Sequence, residues 1–322
     1  MKFTIANKIE QDSRMVRDGF KAALDDMMAT DPDVCYLDAD LMSCLGTTSL
    51  QAKYPDRVIN CGIAEANMMG VAAGMANVGK KPYVHSFGPF ATRRSLDQIY
   101  MSLGYAKLSA KIYGSDPGVT AAFNGGTHMP FEDMAAMMTV PKMVCIDPAD
   151  YAMTAEITRQ IKDIEDAPVY VRLIRKGSKK VYEDGLEIEI GKGLTIKEGT
   201  DLTIIASGIM VAEAVIAHDM LKEQGISARV VDMFTWKPID AELIEKCAKE
   251  TGAIVTCENH NTMCGLGVAV ASVVTSGTLV PIEKVGVHDE YGQVGPDDFL
   301  REEYKLTADE VVKACKKVLT RK

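Results

Sequence analysis

Residues 142–174 decide the fold: Lys142-Met143-Val144-Cys145-Ile146, a turn at Asp147-Pro148, an apolar-periodic stretch over 149–164, then Val169-Tyr170-Val171-Arg172-Leu173-Ile174. The two flanking runs are short, apolar and partly β-branched, so they read as buried strands. The stretch between them is too long for a strand and repeats its apolar positions at helical spacing. Strands alternating with helices in this way predict a parallel α/β sheet.

The alternation continues outward in both directions. Upstream, a helix is expected over 13–28, with Met15, Phe20, Leu24 and Met27 or Met28 facing inward, then strands at 34–37 and 57–60. A helix from about 64, a strand over 81–87, a helix over 91–103 and a strand over 110–113 follow. A Gly- and Pro-rich connection at 114–130 leads to a short helix over 131–138. Downstream, residues 176–200 are charged and lack a long apolar period, so they read as a linker with a small β excursion. A second alternation then occupies the rest of the chain. The prediction is an α/β protein of two tandem domains, 1–180 and 199–322, joined by a linker at 181–198, each with a mostly parallel sheet flanked by helices.

Length supports two domains, because 322 residues exceed what one core usually sustains. A formal net charge of −9 argues against nucleic-acid or anionic-membrane partners. Eight cysteines are scattered with no C-x-x-C pair, and several lie in apolar segments, as expected of reduced thiols in the cytoplasm. No apolar run approaches the length of a membrane span. No P-loop is present, and Gly265-Leu266-Gly267 lacks the third glycine of a dinucleotide fingerprint.

Candidate chemistry gathers in the first unit. Residues 60–77 place a single acidic residue, Glu65, among small and apolar neighbours such as Ala66, Gly70, Ala73 and Gly74. A carboxylate there loses solvation, which favours the protonated form and suits proton transfer. The plainer use is a carboxylate favoured by the helix dipole. His128 lies in a Gly-rich connection, where polar groups carry function more often than packing. Phe87 and Phe90 flank a strand-to-helix turn and can stack on a flat heterocycle or anchor the core. Arg93-Arg94 and Arg175-Lys176 are basic pairs able to meet a phosphate or to sit on the surface. His85, His128 and His260 have no metal-ligand spacing.

In this order, these residues resemble the C-terminal half of transketolase, as found where that enzyme is split into two subunits. Gly62-Ile63-Ala64-Glu65-Ala66-Asn67-Met68, Ser86-Phe87-Gly88-Pro89-Phe90, and Gly126-Thr127-His128 with Pro130-Phe131-Glu132 carry the resemblance in the first unit. Cys257-Glu258-Asn259-His260 through Gly267 resembles the family's C-terminal domain. The resemblance implies a thiamine diphosphate enzyme that moves a two-carbon ketol unit from a ketose phosphate to an aldose. Glu65 would contact N1′ of the aminopyrimidine, and His128 would bond donor-substrate oxygens. Asp40, Phe87 and Phe90 would line the cofactor, with Arg93 standing where the family has a third aromatic. Arg14, Asp116, Asn124 and Arg175 would contact substrate. Asp116 replaces a histidine and Asn124 an acidic residue, so a non-standard sugar is expected. An acidic Asp116 repels a phosphate unless a basic group compensates.

The chain lacks the family's Gly-Asp-Gly…Asn motif for metal and diphosphate. The resemblance therefore implies that Mg2+ or Ca2+ and the diphosphate end sit on a partner N-terminal subunit, in an α2β2 heterotetramer. Three competing readings remain at this point. They are the β subunit of a 2-oxo acid dehydrogenase E1, a deoxyxylulose-phosphate synthase-like enzyme, and a non-catalytic scaffold that keeps the fold.

Overall fold

The computed structural model describes residues 1–322 and contains two sheets. Seven strands form the first: β1 (Val34–Asp38), β2 (Val58–Asn60), β3 (Lys81–Phe87), β4 (Lys111–Ser115), β5 (Val144–Ile146), β6 (Val169–Leu173) and β10 (Thr235–Lys237). Five form the second: β7 (Leu194–Lys197), β8 (Leu202–Ala206), β9 (Ala228–Asp232), β11 (Ile254–Asn261) and β12 (Ile282–Val287). Spatial order is β10-β5-β6-β4-β3-β1-β2 in the first sheet and β12-β11-β8-β9-β7 in the second. All pairings are parallel except β10 with β5 and β7 with β9, so each sheet carries one antiparallel edge strand. The expected α/β class is what the structure shows.

Burial explains why the central strands were readable. Every residue of β1, β4 and β6 is buried, because helices cover both faces and no polar alternation is needed. The Val16–Thr30 helix buries Val16, Gly19, Phe20, Ala23, Leu24, Met27 and Met28 at helical spacing and packs on the Tyr151–Gln160 helix. Asp150 starts that second helix by accepting from Met153 N at 3.0 Å. Its other oxygen accepts from Val181 N and Tyr182 N, both at 2.8 Å, tying the inter-unit segment to the first sheet.

Three expectations change. The helix expected over 91–103 is broken into a Gly88–Ala91 helix, a 3-10 turn at Arg93–Ser95 and a π-helical turn at Ile99–Tyr105. Hydroxyls compete with the helix here: Thr92 Oγ1 donates to Gly88 O at 2.7 Å and Ser95 Oγ to Phe90 O at 3.0 Å. The segment expected as linker is partly sheet. Lys2, Ile5 and Gln11 bridge antiparallel to Glu187, Tyr182 and Lys179, and β7 already belongs to the second sheet. Finally, β10 lies between second-sheet elements in sequence yet completes the first sheet, and both large apolar clusters draw residues from both units. The two units share their core.

Candidate active site

The carboxyl ends of β1, β2, β3, β4 and β6 all open on one edge of the first sheet, where parallel α/β folds place ligands. Glu65 is the first residue of the Glu65–Asn77 helix, just beyond β2, and is only 2% exposed. Ser86, near the end of β3, donates from Oγ to Glu65 Oε1 at 3.0 Å. Arg94 Nη1 donates to Glu65 Oε2 at 2.8 Å. The desolvation that sequence predicts for Glu65 is thus met by a counter-charge and a hydroxyl.

Phe87, at the end of β3, and Phe90 stand 6.3 Å apart, nearly perpendicular at 79°. His128 joins them from the loop after β4, with its ring 5.2 Å from Phe87 and 5.1 Å from Phe90, edge-on to both. Edge-to-face packing of this kind orients each ring by its neighbours. His128 Nδ1 lies 2.9 Å from Thr127 Oγ1. The Arg94 guanidinium stacks 3.9 Å from the Phe90 ring centre, and that of Arg175 lies 4.9 Å from Phe87.

Asp116, just past β4, is buried and held at φ 58°. Its Oδ2 accepts from Arg175 Nε at 2.6 Å and from Asn124 Nδ2 at 3.3 Å. Arg175 is therefore the compensating base that the acidic Asp116 calls for. Asp40 sits at φ 66° beyond β1, and Asn60 locks it by accepting from Asp40 N at 3.1 Å and donating to Asp40 Oδ1 at 2.9 Å.

Glu65, Phe87, Phe90, Asp116, Asn124, His128 and Arg175 thus form one connected group, with Asp40 on the same edge. Arg93 and Arg14 are not in it. Arg93 turns away to pair with Glu132 at 2.9 Å, beside a cavity of about 360 Å3 between the two units. Arg14 is spent on Asp12 and Asp184, at 3.0 and 2.9 Å, and stacks on Tyr151. Sequence reasoning missed Arg94 and Ser86. The Arg93-Arg94 pair was visible, but the broken helix decides which of the two faces Glu65.

A second polar cluster fills the boundary between units. Arg172 is fully buried and bonds Asp133 through Nη2 at 2.6 Å and Nε at 2.9 Å. The Glu258 carboxylate accepts from Leu266 N at 2.6 Å and Gly267 N at 2.9 Å, at the start of the Leu266–Ser276 helix. Burial still pushes its carboxyl up to about 7. Burial and the neighbouring Arg172 push His260 down to about 4. No three His, Cys, Asp or Glu side chains converge as metal ligands.

The two-unit α/β chain thus carries a helix-borne carboxylate, an aromatic pair and a loop histidine on one sheet edge. Residues 12–179 match the family described as "Transketolase, pyrimidine binding domain", and residues 191–311 match "Transketolase, C-terminal domain". The chain belongs to the transketolase family. It is 42% identical, over 98% of both chains, to the 6-deoxy-6-sulfo-D-fructose transketolase subunit SqwH of Clostridium sp. (strain MSTE9). It is 31% identical to the transketolase of Rattus norvegicus, over 88% of this chain but 46% of that one. A solved structure described as a split gene transketolase, inactive beta4 tetramer, superimposes with a TM-score of 0.89 at 42% identity, covering 95% of this chain and 98% of that one.

Proposed function

We propose that this chain is the C-terminal subunit of a split transketolase and works only with a diphosphate-binding partner subunit. The observation that carries the reading is the buried Glu65 carboxylate, joined through Arg94 to the Phe87–Phe90–His128 group. A flat aminopyrimidine fits that surround, because the rings offer apolar edges and Glu65 offers one acidic group to a ring nitrogen. Thiamine diphosphate, when bound, supplies the centre that carries a two-carbon ketol unit between sugars. Glu65 holds the proton at N1′, Phe87 and Phe90 exclude water from the ring, and His128 bonds an oxygen of the ketose. Asp116, Asn124 and Arg175 meet the rest of the sugar, and Asp40 approaches the cofactor across the interface.

The division of labour has two supports. The residues lack the family's metal–diphosphate motif, and the chain matches a split subunit over 98% of both lengths. The partner would hold the diphosphate through Mg2+ or Ca2+ in a cytoplasmic α2β2 assembly. The exposed face of the Glu65–Asn77 helix, with Gly70, Val71 and Gly74, would pack there. The candidate donors are a ketose phosphate of pentose phosphate chemistry and a specialised sugar such as the one named for the SqwH relative.

The test is co-expression with the partner, Mg2+ and thiamine diphosphate, followed by a screen of ketose donors and aldose acceptors. Glu65→Gln is expected to abolish turnover while leaving assembly intact. Near-wild-type activity from that variant removes Glu65 from the mechanism, and turnover by the chain alone removes the partner.

A further inference from the structure

We propose that Asn259, on the second sheet, is a positioning residue for the loop that carries Asp116 and His128. The proposal rests on the reading of His128 as a substrate-binding group. Asn259 lies near the end of β11 and is 2% exposed. Both ends of its carboxamide are committed to one loop. Oδ1 accepts from Val119 N at 3.1 Å, and Nδ2 donates to Pro117 O at 2.9 Å. Gly118 lies between those two contacts at φ 52°, and a Cβ there would fall 2.1 Å from Asn259 Oδ1. Only glycine permits this approach. Asn259 is itself fixed, because its carbonyl accepts from Arg172 Nη1 at 3.1 Å and Arg172 is gripped by Asp133.

The far end of the loop is held by the same unit. Asn261 N donates to Phe131 O at 2.9 Å, and Gly126 abuts Gly292 so closely that a Cβ would sit 2.1 Å from the Gly292 carbonyl oxygen. The backbone is strained beside and between these anchors: Asp116, just before Pro117, is at φ 58° and Ala122 is at φ 48°, neither of them glycine. Such conformations persist only where the surroundings over-determine them. Here the surroundings are the second unit. Its contribution to the site is therefore to set where His128 stands, without touching the reacting atoms.

The test compares Asn259→Ala with Asn259→Asp in the co-expressed complex. Alanine loses both bonds, whereas aspartate, held as the neutral acid by burial, keeps the acceptor for Val119 N and a donor toward Pro117 O. Asn259→Ala is expected to lower kcat/KM for the ketose donor by roughly 10- to 100-fold, mainly through KM, since misplacement by about 1 Å costs that much. Half-saturation by thiamine diphosphate should change much less than the donor KM, because Glu65, Phe87 and Phe90 stand on other segments and His128 meets the two rings only edge-on. Asn259→Asp should retain most of the donor affinity. Equal losses for donor and cofactor in step with a falling Tm, or wild-type kinetics from Asn259→Ala, overturn the proposal. Should the wild-type complex transfer no ketol group, the functional reading fails and the isolated chain still decides this point. The His128 resonance, assigned with His128→Gln, should move in Asn259→Ala and stay in Asn259→Asp. No movement in either, or equal movement in both, overturns it. Gly118→Ala pushes the loop from the opposite side and repeats the comparison if Asn259→Ala does not fold.

Discussion

Lys111 opens β4 in the middle of the first sheet, yet it is only 1% exposed. Its Nζ donates to Ser109 Oγ and Ile164 O, both at 2.9 Å, and no carboxylate reaches it. Burial, with a smaller push from Lys81, lowers the ammonium from 10.5 to about 8. The sign follows from the charged form being the disfavoured one in the fold. Lys111 costs nothing once pH exceeds the unfolded value near 10.5, and stability is lost as pH falls toward 8. At pH 7 the whole cost is in force, roughly 3 kcal/mol for a difference of that size. Methionine has nearly the same length and no charge. Ser109 Oγ still donates to Ile164 O at 2.6 Å, so the carbonyl keeps a partner. Allowing about 1 kcal/mol for the lost ammonium bonds, Lys111→Met should stabilise by about 2 kcal/mol at pH 7. Thermal unfolding of both proteins between pH 7 and pH 10 checks this. The variant should melt several degrees higher at pH 7, with the gap closing as pH rises. A variant that melts lower, or a gap that ignores pH, refutes the reasoning.

Two further outcomes follow from buried charge. Arg94→Ala leaves the Glu65 carboxylate with Ser86 as its one side-chain donor, and should cost about 1–3 kcal/mol in urea unfolding at pH 7; no loss would mean that Arg94 does not partner Glu65 in solution. Glu258 is raised from 4.5 to about 7, so its contribution is present below the lower value and lost as pH rises through the upper one. Glu258→Gln should therefore remove up to roughly 3 kcal/mol of the wild-type fall in stability between pH 5 and pH 8, and parallel profiles for the two proteins would contradict that account.

Most of the fold is legible because burial on both sheet faces leaves no choice of residue type. Val34–Asp38 and Val169–Leu173 are wholly buried, and apolar runs announce them. What escapes is set by partners distant in sequence. Thr235–Lys237 is three residues long and is a strand only because β5 lies beside it. Leu194–Lys197 alternates correctly but is too short to stand out within a charged stretch. The site divides in the same way. Glu65, Phe87, Phe90 and His128 come from motifs, and the structure brings them together. The direction of Arg94 escapes because the hydroxyls of Thr92 and Ser95 break the helix that would have fixed it.

Charge at the sheet edge bears on the proposed division of the site between two polypeptides. Two acidic groups there are each matched by a base, Glu65 by Arg94 and Asp116 by Arg175, while Asp40 is bonded by Asn60. Both arginines are spent in these pairs, so the slot walled by Phe87, Phe90 and His128 offers neither of them to an anion. Such a slot does not suit a diphosphate, whose charge demands a cation or unpaired bases. Its aromatic walls suit a flat heterocycle, and Glu65 and Asp116 each reach them through an arginine, Arg94 stacked on Phe90 and Arg175 near Phe87. The apolar helix face at Gly70, Val71 and Gly74, with Tyr100, Met101 and Tyr105 exposed on the adjoining π turn, leaves that slot beside a surface that water covers poorly. A partner that docks on this face and brings its own anion-binding groups would supply what the pairing here withholds, and that supports splitting the site between two polypeptides.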